Sequence, residues 1–568
     1  MQKTSLHQDS GRQACAQCPE SFEITDGDLA FYEKVSPVIG GKKYPIPPPT
    51  LCPDCRLQRR LSVRNERHLS RHRCDLCGKP CISSFPAGNT FPVYCTACWW
   101  SDHWDPKDYG RDFDFSRPFF EQFQELLRNV PKAGALQMNN ENCEFNHLLA
   151  FSRNSYLCPG SYFIEDCIYV RKSQYCRDCV NSNELNRCET IADSTNCDNC
   201  SSSHHLINCR NCHSSSYMND CTGLTNCFMC SGMVQKQYHY KNQPLAKEAY
   251  GEVLADAARK SPEELLRTYQ DFSRTVPKRA QIQLNCEHST GDYLYNCKNA
   301  LHCSDCFNCE DSMYLLECEG VKDSMDLSMH DKDIELCYEI CSGGEKSYLT
   351  AFCYCTIASP RSLYLSSCFY QPDSFGCDGF HGHGQYCILN KQYTKEAYEE
   401  LVPRIIEHMQ THGEWGEFFP ISISPNAYNQ TVAQDEFPLT EAEAKARGWP
   451  WRGEKDEMPK VSKVIPAEKL PSSIDDIPDD ILNWAIECEA TKRPFRIIKQ
   501  ELDLYRTMRL PIPRFHPDER HRRMMALRNP RKLWQRKCHK CGKEMQTTYQ
   551  PSRPEVVYCE TCYLAEVY

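Results

Sequence analysis

Cysteines recur at fixed intervals through the middle of this 568-residue chain. Written in rows of 21, residues 156–239 align into three columns, which hold Cys158, Cys179, Cys200 and Cys221; Cys167, Cys188, Cys209 and Cys230; and Cys176, Cys197, Met218 and His239. A fixed period of about 20 residues is typical of stacked repeats. The rows are rich in Ser, Asn, Asp and Tyr and lack a helical period. Each row therefore predicts one coil of a parallel β-solenoid, with the cysteine columns as inward ladders.

The same cysteines allow two other interpretations. The stretch from Asn196 to Cys212 contains two Cys-x-x-Cys pairs, a spacing found in metal and redox sites. The repeat favours the ladder, because Cys197 and Cys200 come together only where one row meets the next. Met218 also fits a ladder, since methionine fills apolar space as a buried thiol does. A chain of metal sites and redox chemistry remain the alternatives, because Cys212 and Cys227 lie off the columns.

The cysteine-rich block is used twice. "ELLRNVPKAGALQMN" (125–139) aligns with "DFSRTVPKRAQIQLN" (271–285), and "KEAY" follows each block at 247–250 and 395–398. The second block keeps its rhythm to Cys318 and loses it beyond Leu327. We therefore predict a repeated unit of helix, solenoid and helix, in which the helices close the open solenoid ends. One helix should start at Ser261-Pro262-Glu263-Glu264, with proline in the first turn and acids at the positive end.

Twelve other cysteines have the spacing of zinc ligands. Two sets follow the C-x2-C-x17-C-x2-C pattern, and a third has a 33-residue spacer. Glycine after the second cysteine permits the positive φ of a zinc knuckle. Four thiolates fill a zinc coordination sphere and leave no position for catalysis. We predict about three zinc ions, held by Cys15, Cys18, Cys52 and Cys55; by Cys74, Cys77, Cys95 and Cys98; and by Cys538, Cys541, Cys559 and Cys562.

The two ends of the chain align with each other. Residues 52–74 match 516–538, and residues 15–32 match 488–505, both without a gap. The match places Cys488 on Cys15, Thr491 on Cys18, His516 on Cys52 and Glu519 on Cys55, so three of the four thiolates are lost. We expect a metal-free degenerate ribbon held by its own core, with a weak Cys/His/Glu site as the alternative.

Each terminal module contains a basic connector. Seven arginines and one acid lie between Arg56 and Arg73, and eight lysines or arginines and no acid lie between Arg520 and Lys537. A basic segment beside a zinc ribbon is typical of phosphate-backbone contact, although pairing with the acidic middle of the chain is the alternative. The candidate nucleic-acid or partner contacts are Arg56, Arg59, Arg60, Arg64, Arg67, Arg520, Arg522, Arg523, Arg528, Arg531 and Lys532.

The composition bounds the class of protein. Forty cysteines without a signal peptide or membrane span predict reduced thiols in the cytoplasm. No acidic ladder recurs at the repeat period, and no complete phosphate loop is present, so we expect no enzyme. The expected function is a non-enzymatic zinc-binding scaffold that contacts RNA, a ribonucleoprotein or a protein partner. The alternative is a thiolate-rich metal-storage or redox protein.

Several motifs also indicate a family. "CPDCRLQRRL", "CDLCGK…VYCTACWWSDHWDP", "YGRDFDFSRPFFEQF" and "RNPRKLWQRKCHKCGKE…VYCETCYL" resemble the cysteine-rich zinc-ribbon proteins of candidate-phyla bacteria over nearly the whole chain. The resemblance implies a bacterial cytoplasmic protein and adds no activity.

We therefore predict a multidomain α+β protein, with small zinc-ribbon modules at both ends and two duplicated cysteine-rich β-solenoid blocks capped by helices. The predicted segments are a tandem zinc-ribbon module (1–105), a helix with the first solenoid (106–255), a helix with the second solenoid (256–411), an extended arm and Pro-rich linker (412–480), and a C-terminal module of a degenerate ribbon and a zinc ribbon (481–568).

Overall fold

The computed structural model describes residues 11–86, 88–329, 332–343, 345–382, 384–453 and 460–567. Within them the fold is mixed α+β, with twelve α-helices and forty strands. The chain forms two compact units of two segments each. Unit one combines Met1–Ala135 with Ile282–Arg452, and unit two combines Leu136–Gln281 with Gly453–Tyr568. None of the helices in the described residues has both the length and the apolar character needed to cross a membrane.

Unit one begins with the N-terminal module. Its elements are β1 (Gly11–Ala14), β2 (Ser21–Ile24), α1 (Asp26–Val35), β3 (Val38–Ile39), β4 (Lys42–Lys43), α2 (Pro53–Leu61), β5 (Ser70–Arg73), β6 (Pro80–Ser83), β7 (Val93–Tyr94), α3 (Thr96–Trp99), a 3-10 helix (Pro106–Tyr109), α4 (Phe119–Asn129) and β8 (Lys132–Ala133).

Unit two begins with the first cysteine-rich block. Its elements are β9 (Gln137–Met138), β10 (Leu149–Ala150), β11 (Ser161–Tyr162), β12 (Ile168–Arg171), β13 (Val180–Asn186), β14 (Glu189–Ala192), β15 (Thr195–Asp198), β16 (Ser201–Arg210), β17 (Ser216–Asn219), β18 (Phe228–Ser231), β19 (His239–Tyr240), β20 (Gln243–Pro244), α5 (Lys247–Ala257), α6 (Pro262–Thr275) and β21 (Lys278–Arg279).

The chain then returns to unit one for the second cysteine-rich block. Its elements are β22 (Gln283–Leu284), β23 (Gly291–Tyr295), β24 (Lys298–Leu301), β25 (Cys303–Phe307), β26 (Glu310–Met313), β27 (Glu319–Lys322), β28 (Met325–Ser328), β29 (Lys332–Glu335), β30 (Tyr338–Cys341), β31 (Ala351–Ile357), β32 (Ser366–Phe369), β33 (Cys387–Ile388), β34 (Lys391–Gln392), α7 (Lys395–Thr411), two 3-10 helices (Ile421–Ile423 and Tyr428–Gln430), α8 (Val432–Glu436) and α9 (Glu441–Ala446).

The C-terminal module completes unit two. Its elements are β35 (Lys463–Pro466), three 3-10 helices (Ala467–Lys469, Ile474–Asp476 and Asp479–Asn483), β36 (Trp484–Glu487), β37 (Pro494–Phe495), α10 (Lys499–Met508), α11 (Pro517–Met525), β38 (Trp534–Lys537), β39 (Glu544–Thr547), β40 (Val557–Tyr558) and α12 (Glu560–Val567).

Each cysteine-rich block is a stack of parallel strands, and the first stack (residues 137–240) repeats every twelve residues. Ile168 pairs with Val180, Val180 pairs with Ala192, and Cys197 pairs with Cys209. The predicted 21-residue coil is therefore wrong. An interval of 21 is one twelve-residue coil plus nine residues, so cysteines 21 apart lie on different sides of the stack.

The coil turns at every third residue, where the backbone enters the left-handed region. Asn196, Asn199, Asn208 and Asn211 have φ values of 53°, 52°, 55° and 50°. Side chains other than glycine rarely adopt this conformation, and Asn and Asp adopt it most readily. The requirement explains why Asn or Asp so often precedes a cysteine in this block. An Asx-Cys pair recurring at multiples of three was the sequence signal for the twelve-residue coil.

The residue after each corner points inward and is usually Cys or Ser. The Cys158 thiol donates to the Tyr156 carbonyl at 3.3 Å, two residues earlier, and the Ser173 hydroxyl donates to the Arg171 carbonyl at 3.0 Å. Ser173 Oγ also accepts from the Leu185 N–H of the next coil at 3.0 Å. Burial raises the pKa of the Cys158 and Cys179 thiols well above the usual value. A small side chain with a donor fits this position, which supports the ladder interpretation.

The twelve-residue register also accounts for the two cysteines that the 21-residue columns left out. Cys212 follows Cys200 by twelve residues, its N–H donates to the Cys200 sulfur at 3.4 Å, and it is fully buried. Cys227 follows Ser215 by twelve residues, and its N–H donates to the Ser215 hydroxyl at 3.0 Å. Both therefore belong to inward ladders.

The second stack (residues 283–388) lengthens some coils by one residue. Val321 pairs with Ile334 and Leu327 pairs with Ile340, thirteen residues apart. In a flat strand, a shift of one residue would turn every following side chain to the opposite face. Here Val321, Leu327, Ile334 and Ile340 are all buried, so the inward positions are kept in spite of the extra residue. This explains why the rhythm changes beyond Leu327 while the core continues.

The helices that follow the first stack pack on its last strands. α5 contacts β19, and α6 contacts β17 and β18. α6 begins at Pro262, as predicted, and the Ser261 hydroxyl caps it by accepting from the Glu264 N–H at 3.2 Å.

The segment predicted as a Pro-rich linker is folded. β35 pairs in parallel with β36. Ala467, Leu470 and Ile474 are buried in a cluster that includes Ile168 and Val180 of the first stack. The aliphatic side chains between the prolines supply enough apolar surface to pack, which is why this segment does not behave as a linker.

We predict that Cys209→Ala lowers the free energy of unfolding by about 1 kcal/mol, because it leaves a small cavity and removes a thiol donor. Metal content should stay unchanged. Denaturant unfolding and elemental analysis test this, with the half-exposed Cys286→Ala as the matched control. Loss of metal on Cys209→Ala would contradict the ladder.

Candidate metal centres

Three groups of four cysteines converge in the structure, and they are the three sets predicted from spacing. Within each group the sulfur atoms lie within 4.8 Å of one another, so each group could hold a metal ion. The closest sulfur pairs are Cys18–Cys52 at 3.7 Å, Cys77–Cys95 at 3.9 Å and Cys541–Cys559 at 3.7 Å. In the part of the chain that the structure describes, the cysteines of the stacks form no such group.

The first half of each group is a tight knuckle. In the second group, the Cys74 N–H donates to the Lys79 carbonyl at 2.9 Å, and the Gly78 N–H donates to the Cys74 carbonyl at 2.8 Å. Gly78 has a φ of 70°, and Gly542 of the third group has a φ of 74°, as the glycine in each motif predicted. The knuckle aims backbone N–H groups at the sulfur atoms.

The second half of two groups starts a helix. Cys52 is the N-cap of α2, and Cys95 is the N-cap of α3. The positive end of a helix favours the thiolate form of a nearby cysteine. The N–H of Cys95 donates to the Cys74 sulfur at 3.2 Å, and the N–H of Cys52 donates to the Cys15 sulfur at 3.3 Å. In these two groups, the backbone at the start of the helix is therefore hydrogen-bonded to a sulfur atom of the knuckle.

Backbone hydrogen bonds stabilise a thiolate in both the third and the second group. Burial raises the pKa of Cys538, but hydrogen bonds from the N–H groups of Cys541, Cys559 and Lys540 outweigh it and lower the pKa to about 6. In the second group the same balance lowers the pKa of Cys74 to about 7. Thiolates at neutral pH are the form that binds metal ions.

The degenerate module keeps the knuckle without the thiolates. The Cys488 N–H donates to the Arg493 carbonyl at 2.9 Å, and Lys492 adopts a φ of 58° where the second and third groups have Gly78 and Gly542. Cys488 is buried in an apolar cluster. His516 caps α11, where its Nδ1 accepts from the Asp518 N–H at 3.1 Å. Among the described residues these side chains belong to no converging group, which agrees with a module held by its own core.

The arginines of the first connector lie in the interior of unit one. Arg56, Arg59 and Arg60 are 2%, 6% and 1% exposed. Arg56 Nε lies 2.8 Å from Asp326, Arg59 Nη2 lies 2.8 Å from Glu339, and Arg60 Nη1 lies 3.0 Å from Asp326. The predicted phosphate contact is wrong for these three, because their guanidinium groups already face buried carboxylates.

The rest of the first connector continues the pattern. Arg64 is 1% exposed; it pairs with Glu66 at 2.8 Å and donates to the Ser342 hydroxyl. Arg59 also pairs with Glu417. The predicted phosphate contact is therefore wrong for Arg64 as well, whereas Arg67 is half-buried.

The second connector repeats this arrangement in unit two. Arg520, which aligns with Arg56, is buried, and its Nη1 lies 2.9 Å from Glu501 and 3.0 Å from the Asn181 side-chain oxygen. Arg528, which aligns with Arg64, pairs with Glu184 at 3.1 Å. Burial contradicts the predicted phosphate contact for Arg520, and the guanidinium group of Arg528 is likewise directed to a carboxylate of this chain, Glu184.

The remaining predicted contacts stay nearer the surface. Arg522 and Arg523 are exposed and both bond Glu519, at 2.7 Å each. Lys532 is exposed and Arg531 is half-buried.

The partners of the buried arginines occupy corners of the stacks. Asp326, Glu339, Asn181 and Glu184 all have positive φ, between 48° and 60°. A corner side chain points outward, so an acid there can face a docked helix. Sequence analysis missed these residues because isolated acids among many corner positions carry no recognisable pattern.

Comparisons with known proteins add little to this geometry. No protein-family model and no curated protein matches the chain. One similar solved structure is a Desulfovibrio desulfuricans G20 protein provisionally described as an acetyltransferase, with 10% identity and a TM-score of 0.10. The match covers 40% of this chain and 64% of the other, so this chain spans less than two thirds of that protein's length.

We predict that Arg56→Met destabilises the docking of α2 by about 3–5 kcal/mol, because it leaves the buried Asp326 carboxylate without one of its partners. Native-state hydrogen exchange of the α2 amides measures this. Arg71→Met, an exposed arginine of the same connector, should change the value by less than about 0.5 kcal/mol. Equal effects of the two substitutions would argue against a buried clamp.

Proposed function

We propose that this protein is a non-enzymatic zinc-binding scaffold, in which ribbon modules clamp two β-solenoids through buried arginines. One observation carries the proposal: the same module contains a four-cysteine group and the helix that docks on the stack. Cys52 belongs to the first cysteine group and begins α2, and α2 carries Arg56, Arg59 and Arg60 onto the acids of the second stack. Metal binding and docking therefore involve the same helix.

The cysteine groups fit zinc. A tetrahedral ion with zinc–sulfur bonds of about 2.3 Å separates the sulfur atoms by about 3.8 Å. The closest sulfur pairs lie at 3.7–3.9 Å. Four cysteine ligands leave no open position for water or substrate, which supports a structural role and not a catalytic one.

The stacks supply the rigid body of the scaffold. Their inward thiols are buried and donate to backbone carbonyls, which favours a packed core over metal storage or redox chemistry. None of the forty cysteines is in a disulfide. This supports the proposal that the protein works in a reducing compartment, and we place it in the cytoplasm.

We predict three zinc ions per chain, and we expect Cys77→Ser and Cys541→Ser to remove one each, because a tetrahedral site that loses one thiolate binds far more weakly. Elemental analysis of protein purified without added zinc measures the count. Cys81→Ser is the matched control, since Cys81 lies beside the second group without belonging to it. Two ions, or a fourth lost on His516→Ala, would contradict the assignment.

Nucleic-acid binding is a second candidate function, and the exposure of Arg522, Arg523 and Lys532 favours it. The exposed positive charge is smaller than the sequence of the second connector predicts, because Glu519 offsets part of the charge of Arg522 and Arg523. A contact of this kind would be weak and steeply salt-dependent.

We predict that single-stranded RNA binds only at low salt, and that the double variant Arg522→Glu/Lys532→Glu weakens it for all sequences alike. Mobility-shift titration measures this, with exposed Arg12→Glu in unit one as the control. RNA affinity that survives the double variant, or no affinity at low salt, would remove this candidate.

A further inference from the structure

Two helices of unit two leave a cavity of about 370 Å³ beside the end of the first stack. α5 lines it with Ala249 and Val253, α6 lines it with Leu265, and Phe228 and Met229 of the stack form its floor. The neighbouring Leu254 on α5 is 40% exposed. The cavity is thus an apolar groove with room for a side chain of another molecule.

The two helices that form this groove have sequence counterparts in unit one, α7 and α4. α5 and α7 share the "KEAY" start, and α6 and α4 share the "VPK" segment that follows them. These alignments place Lys260 on His408, Asp256 on Arg404, Leu265 on Phe119 and Thr268 on Gln122. The same pair of helices therefore packs against the end of each stack, and the two grooves can be compared position by position.

The groove of unit one is filled by its own chain. The segment just before α4 carries Phe113, which is buried, and Phe115, which is 37% exposed and whose carbonyl accepts from His408 Nε2 at 2.9 Å. The Gln122 side chain makes two hydrogen bonds to the main chain of Asp114. Its Oε1 accepts from the Asp114 N–H at 2.8 Å, and its Nε2 donates to the Asp114 carbonyl at 2.9 Å. The Arg404 guanidinium lies 4.8 Å from the Phe115 ring centre.

The part of unit two that the structure describes has no counterpart of this segment between its two helices. Only residues 258–261 join α5 to α6, and they form the turn between the helices. The groove of unit one is therefore occupied by a segment of the same chain, whereas the groove of unit two is open.

The two grooves also differ in charge. In unit one, Arg404 lies over the Phe115 ring, and Asp112 of the same segment pairs with Lys391 at 2.6 Å. In unit two, Asp256 replaces Arg404, and Lys260 pairs with it at 2.6 Å. Glu252 of the lining falls on Glu400 of unit one, so this carboxylate is present in both grooves. The exchange of Arg404 for Asp256 leaves the rim of unit two with two carboxylates, Glu252 and Asp256, against one ammonium group, Lys260. A complementary occupant is therefore basic where Phe113–Phe115 is acidic.

We propose that the unit-two groove binds an extended segment of a partner protein, with two aromatic residues separated by one residue and lysine or arginine beside them. The first aromatic side chain enters the apolar groove as the anchor, as Phe113 does in unit one, and the second covers the rim. The basic residues meet Glu252, since Asp256 is already paired with Lys260. This adds a partner site to the proposed scaffold, and it does not depend on zinc.

A labelled peptide tests the proposal with the full-length protein. The probe copies residues 109–118 with Asp112→Lys and Asp114→Lys, and fluorescence anisotropy follows its binding. We expect saturable binding that weakens at least tenfold for the unaltered acidic sequence at low salt. Replacing both phenylalanines of the peptide by alanine should weaken it by at least the same factor.

A pair of variants on one helix locates the site. Ala249→Trp fills the groove and should weaken peptide binding at least tenfold. Ala255→Trp, on the same helix outside the lining, should leave binding within twofold. Zinc content measured on every variant separates a failure of the groove from a failure of the zinc assignment.

Four outcomes would overturn the proposal. They are no saturable binding of the lysine peptide, equal affinity for the acidic peptide, equal binding by the Ala249→Trp and wild-type proteins, and self-association in sedimentation that Ala249→Trp abolishes. The last outcome would assign the groove to a second copy of this chain.

Discussion

A left-handed corner at every third residue is the constraint on which the rest of the structure depends. It divides each coil into sides of three residues and leaves one inward position per side, as at Ser173 and Cys176. A side this short brings the inward side chain close to the carbonyl two residues earlier. Cysteine and serine are small enough to fit and can donate to that carbonyl. The abundance of cysteine in the stacks thus follows from backbone geometry and needs no metal.

The corners also determine how the terminal modules dock. A corner side chain points away from the core, and Asp326 and Glu339 place carboxylates there for α2 to cover. Burying such pairs costs desolvation, so they add little net stability compared with apolar contacts of the same size. These pairs instead fix the position of α2 along the stack, because a helix shifted by one turn would leave three guanidinium groups and two carboxylates buried without partners. The arginine-rich sequence is therefore specific for one docked position.

The parts of the fold that sequence analysis predicted are those governed by local chemistry. The twelve thiolates were found because a knuckle needs Cys-x-x-Cys and often glycine, as at Gly78. The start of α6 was predicted because a serine followed by a proline is by itself a typical helix start. The coil length was missed because the cysteine columns follow 21, while the corners that set the period carry many residue types. The burial of Arg56 could not be predicted, since Asp326 lies far away in sequence and belongs to another block.

The degenerate module shows what the ribbons contribute. Arg520 docks on the first stack as Arg56 docks on the second, yet its module keeps one cysteine of four. In place of the thiolates, the apolar cluster around Cys488 includes Ile486, Phe495, Ile497, Leu502, Leu504 and Tyr505. Burying such side chains contributes roughly 1.5–3 kcal/mol each, so six of them reach the scale of one structural zinc site, about 10–16 kcal/mol. A hydrophobic core can therefore replace the ion, provided that the knuckle and the arginine helix are kept. The feature common to both ends is the position of that helix on the stack, which is accompanied by a four-cysteine group at one end and by an apolar core at the other.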